Sequence, residues 1–157
     1  MLKKLLGQLT FGKKLPDSLE YETARNVLEK NKLAQRTELA GRSDSPPEML
    51  YYLAKDESAK VRRKVAENPR TPIQADELLT DDRDDEVRCE LARKISRLIP
   101  GLPEDAQIKL RERMEAILEK LADDHLPRVR QIVAEEIRHS DNVPKSIALR
   151  LARDLEA

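Results

Sequence analysis

Nucleophilic or metal-assisted chemistry would have to start from very few residues in this sequence. It contains two histidines, His125 and His139, and one cysteine, Cys89. The histidines fall near opposite ends of one predicted helix, so they cannot form the i, i+4 pair that ligates zinc from a single face. His139, near a helix C-terminus, reads as a dipole partner or a solvated side chain. Cys89 lies between Arg88 and Glu90 with no histidine assigned to it, which reads as a small inert side chain rather than a nucleophile. The run Asp81-Asp82-Arg83-Asp84-Asp85-Glu86 offers carboxylates for a cation but lacks the glycine turn and twelfth-position glutamate of a calcium loop. It reads as an acidic helix N-terminus. No phosphate-cradling glycine loop is present. The expectation is therefore no catalytic residue, no metal and no cofactor, and a protein that is not an enzyme.

The residues that do recur at fixed spacing are aspartates and arginines. Asp56 is followed by Val61, Arg62 and Val65-Ala66; Asp82 by Val87, Arg88 and Leu91-Ala92; Asp124 by Val129, Arg130 and Val133-Ala134. Each copy reads D-x4-V-R-x2-[V/L]-A. An aspartate one residue before a helix accepts backbone N–H bonds and complements the helix dipole. The arginine six residues on can reach an aspartate of its own or the adjacent unit, giving a ladder of charge-assisted hydrogen bonds. The functional alternative is an exposed arginine row that binds an anion or nucleic acid. Because the two residue types recur together, Asp56, Arg62, Asp82, Arg88, Asp124 and Arg130 are assigned a structural role.

The elements that position these residues follow from the same arithmetic. The step from Asp56 to Asp82 equals the step from Val61 to Val87 and that from Pro46 to Pro72. Leu39-Ala40 precedes Val65-Ala66 by the same step, which marks a degenerate first copy. A period of about 26 residues falls in the range that means stacked supersecondary units. The unit is a proline-containing turn, a short helix A ending at the aspartate, and a helix B carrying the Val-Arg motif. The step from Val87 to Val129 is longer, so one unit carries an insertion. The extra length follows the break at Pro100-Gly101-Leu102-Pro103, and Leu110, Met114, Ile117, Leu118 and Leu121 mark a lengthened helix A. Approximate units are 19–45, 46–71, 72–102, 103–142 and a partial 143–157, within a repeat domain over 17–157. Asp17 with Glu20 forms a capping box for a helix through about Lys30, and Gly41 is expected to stop the next helix. Pro144 to Leu155 reads as a helix A with no helix B after it, an uncapped end through which oligomers could form or a longer chain continue.

Composition agrees with stacking rather than with a spherical core. Only 39% of residues are apolar and 38% are charged, with one Phe, three Tyr and no Trp. A helical stack needs less apolar residue per unit, because each pair buries one seam. The 30 basic and 30 acidic residues cancel, so no global field argues for nucleic acid. A single cysteine fits a reducing compartment, and no apolar run approaches a membrane span. The expected fold is all-α, an α-solenoid of about four to five helical hairpins in a cytoplasmic protein, with attachment at the membrane periphery as the alternative.

The proline in helix A, the inter-helix aspartate and the Val-Arg of helix B resemble the HEAT-repeat signature. The run VAENPRTP at Val65–Pro72 is similar to the leucine-rich-variant type of short bacterial repeat. The whole chain also resembles the N-terminal region of an alphaproteobacterial family of longer proteins known only as a domain of unknown function. The HEAT resemblance implies a protein ligand on a concave face. The enzymatic minorities fit poorly. Alkylpurine DNA glycosylases of this form need aromatics around an extruded base, and this chain has only Phe11, Tyr21, Tyr51 and Tyr52. The di-iron hydroxylases need His-Glu dipeptides, and neither histidine here is followed by Glu.

What remains for function lies where the repeat is broken. Tyr51 and Tyr52 diverge by about 100° on a helix, so one of them should be exposed, as interface aromatics are. Arg63 and Lys64 do not recur in the later copies. Residues 1–16 carry four lysines and no acid, and Leu2, Leu5, Leu6 and Leu9 share one face of a cationic amphipathic segment. The leading expectation is a non-enzymatic scaffold that binds a protein partner. One alternative is a nucleic-acid binder with a basic concave face using Arg62, Arg63, Lys64, Arg88, Arg93 and Arg130. Another is a peripheral adaptor that meets a membrane surface through residues 1–14.

Overall fold

A computed structural model describes residues 28–29, 32–103, 108–138, 140 and 144–155. The capping box at Asp17, the apolar face of residues 1–16 and the His139 position lie outside the described residues. All regular structure among the described residues is helical. The α-helices are α1 (Leu33–Gly41), α2 (Pro47–Leu53), α3 (Ala59–Glu67), α4 (Ile73–Thr80), α5 (Asp85–Leu98), α6 (Ile108–Ala122), α7 (Pro127–Ile137) and α8 (Lys145–Leu155), with a 3-10 turn at Ile99–Gly101. The helices start on the sequence period: α1, α3 and α5 begin at Leu33, Ala59 and Asp85, one period apart, and α7 begins at Pro127 after the lengthened step. The extra residues are taken up by α5, at 14 residues against 9 for α3, by the 3-10 turn and by α6, which at 15 residues is about twice the length of α2 or α4.

The chain forms two compact units, 1–75 and 76–157. In the first, α1 packs on α3 and α2 fits against both. Leu39, Ala40, Met49, Leu50, Leu53, Val61, Val65 and Ala66 are buried at this seam. They fall at i, i+3 and i+4 steps, the spacing that puts one helix face inward. In the second unit α5 packs on α7 and α6 on α8, and each of these helices also touches its neighbour in the chain. Val87, Leu91, Ile95, Leu118, Leu121, Val129, Val133 and Ile147 fill that interior.

The turns are closed by side chains rather than by glycine. Helix α1 stops at Gly41, as the sequence led one to expect, and the chain leaves through Arg42 in extended conformation at φ −76°. Two other groups satisfy the carbonyls at that helix end. Ser45 Oγ donates to Leu39 O at 2.5 Å, and the buried Asn68 amide donates to Ala40 O at 2.8 Å and Arg42 O at 2.9 Å. One period later Thr71 Oγ1 repeats the serine's part, donating to Val65 O at 2.7 Å. A hydroxyl just before the helix A proline thus holds the end of the preceding helix B, where orphan carbonyls would otherwise be buried.

Candidate functional site

The recurrent aspartates sit in the turns between helix A and helix B, two residues before each N-cap rather than one residue before the helix. Asp56, Asp82 and Asp124 each accept the backbone N–H two residues on, from Ser58, Asp84 and Leu126, at 2.8–2.9 Å. This is an Asx-type turn, in which a short carboxylate stands in for a backbone carbonyl. The capping residue proper of α5 is Asp84, which accepts Val87 N–H at 3.0 Å. The acidic run 81–86 is therefore divided between turn, cap and first helical turn.

The arginine six residues after each aspartate bonds to that aspartate's carbonyl, not to its carboxylate. Arg62, Arg88 and Arg130 donate to the main-chain oxygens of Asp56, Asp82 and Asp124, each at 2.7 Å. The carboxylates of Asp124 and Asp56 are met by an arginine from the preceding unit. Arg88 Nε reaches Asp124 Oδ2 at 2.7 Å with both side chains 6% exposed, and Asp85 adds a second contact at 2.7 Å. The hydrogen bond that Arg88 donates to Asp124, opposed by burial and reinforced by Asp85, holds the guanidinium above its ordinary value. Arg36 does the same in the first unit, with Nε 2.7 Å from Asp56 Oδ2. Arg36 stands to Arg62 as Asp56 stands to Asp82, so it is the motif arginine of the degenerate first copy, a member of the ladder that the motif search does not pick out.

The candidate binding residues are dispersed. Tyr51 and Tyr52 are both half-buried and border different clefts: Tyr51 with Pro47 and Pro72, Tyr52 with Leu28, Arg36 and Asp56. Neither stands out fully exposed, because Lys55 lies over the Tyr51 ring at 4.6 Å and Tyr52 shares its cleft with Arg36 of α1. Lys64 pairs with Glu67 one turn on, at 2.7 Å, and Arg63 is half-buried on the same helix. Cys89 is fully buried; burial, with Glu86 adding to it, pushes its thiol up and away from the reactive thiolate. His125 is largely exposed beside Asp124. Among the described residues no three His, Cys, Asp or Glu side chains converge as metal ligands, and no helix is long and apolar enough to cross a membrane.

Two further features lie in the second unit. One is a buried ion pair between α4 and α5: Lys94 Nζ is 2.6 Å from Asp76 Oδ1, with both side chains 5% exposed. Burial raises the Asp76 carboxyl to about 6 against the pull of Lys94, and burial lowers Lys94 against the pull of Asp76. Desolvation thus favours the neutral form of both partners. The other is a groove of about 630 Å³ between α7 and α8, floored by Ala134, Ile137, Ala148, Leu151 and Ala152. A further cleft, of about 770 Å³, lies at the turns around Asp82 and Asp124, where acids and bases already pair: Asp81 with Lys120, Asp123 with Arg150, Asp124 with Arg88.

No protein-family model matches the chain, and no curated protein or solved structure gives a significant match.

Proposed function

We propose that this protein is a non-enzymatic protein-interaction scaffold, an α-solenoid of HEAT-like hairpins whose outer surface binds a protein partner in a bacterial cytoplasm. The observation that carries the reading is where the reactive side chains are spent. The repeated aspartates and arginines bond to one another and to turn carbonyls, with Arg62 and Arg88 5% exposed. The one thiol is buried with its ionisation suppressed. Side chains used this way fix helix against helix and leave recognition to surface clefts.

The nucleic-acid alternative draws no support from the same residues. A phosphate-binding stripe needs exposed cations, yet Arg62 and Arg88 are buried, Lys64 pairs with Glu67 and Arg93 pairs with Glu90. Exposed arginines such as Arg97, Arg113 and Arg128 are each matched by a glutamate from another helix.

The test compares the full chain with a Tyr51→Ala/Tyr52→Ala variant in crosslinking and affinity capture from its native host, alongside activity screens on the pure protein. The expected result is a defined partner, weakened by the variant, and no turnover. Turnover of a substrate with no partner captured would overturn the proposal.

A further inference from the structure

We draw no further inference here: the strongest candidate, the cleft lined by Pro47, Tyr51 and Pro72 in the first unit, carries nothing because nothing in the structure shows what covers it.

Discussion

Replacing Lys94 by methionine should cost stability in a pH-dependent way that no surface pair would produce. Asp76 and Lys94 are 2.6 Å apart and 5% exposed, and the carboxyl sits at about 6. A carboxyl raised above its unfolded value of about 3.9 gives a contribution that is full below that value and is lost as pH rises through the folded value. In the native chain this loss comes to roughly two pH units, about 3 kcal/mol, and is complete near pH 7. With methionine at 94 the carboxyl has no cation beside it and must stay protonated to higher pH. At pH 7.5 that costs about 5 kcal/mol, roughly 2 more than in the native chain, whereas at pH 5 both chains hold the proton and the costs converge near about 1.5 kcal/mol.

The lysine acts in the same direction. Its value is depressed by burial, so its contribution is most favourable above its unfolded value and worsens as pH falls through the folded one. Deleting it removes something that grows with pH. Urea unfolding followed by circular dichroism at pH 5.0 and 7.5 should therefore show the penalty of Lys94→Met growing by about 2 kcal/mol between the two. In the double variant Asp76→Leu/Lys94→Met that growth should vanish and most of the stability return, because an apolar replacement of a buried pair is often neutral or better. A penalty equal at both pH values, or larger at pH 5, would refute the reasoning.

Other expectations follow from the joints between units. Asn68→Ala should cost about 1–3 kcal/mol in urea unfolding, since it strips two hydrogen bonds from carbonyls at the end of α1. Asn68→Asp should cost more, as a carboxylate faces the same oxygens without an N–H to give. Asp124→Asn should lower stability by about 2–4 kcal/mol because Arg88 is left largely buried with its main counter-charge gone. Asp85→Asn, at a position 54% exposed, should cost under about 1 kcal/mol in the same unfolding assay. The Cys89 thiol should react slowly with Ellman's reagent at pH 8 in the folded chain and at once in urea.

The fold was legible where the signal was periodic. The constant step between copies, and its one lengthened interval, placed the starts of α3, α5 and α7, because the buried Val-x3-Val/Leu-Ala steps and the turn aspartates repeat together. The same periodicity could have found Arg36, which occupies the arginine position of a copy that has lost its leading aspartate and valine. Joints made by unrepeated residues were not legible. Asn68 reaches back 28 residues, and nothing in VAENPRTP says which carbonyls its amide will meet. Lys94 reads as solvated because an amphipathic pattern sends lysine outward. Its burial depends on Asp76 lying 18 residues earlier on another helix, a pairing no local rule contains.

The repeated and unrepeated polar residues therefore do different work. The Asp–Arg joints recur from turn to turn, so any one of them specifies only that another unit is stacked. The Asp76–Lys94 pair is not part of the repeated pattern, and it joins helices that the repeat alone would have made interchangeable with their neighbours. A buried pair adds little net stability over an apolar replacement. The outer face of α7 is unrepeated in the same sense, with Gln131 and Arg138 where α5 carries Cys89 and Ser96.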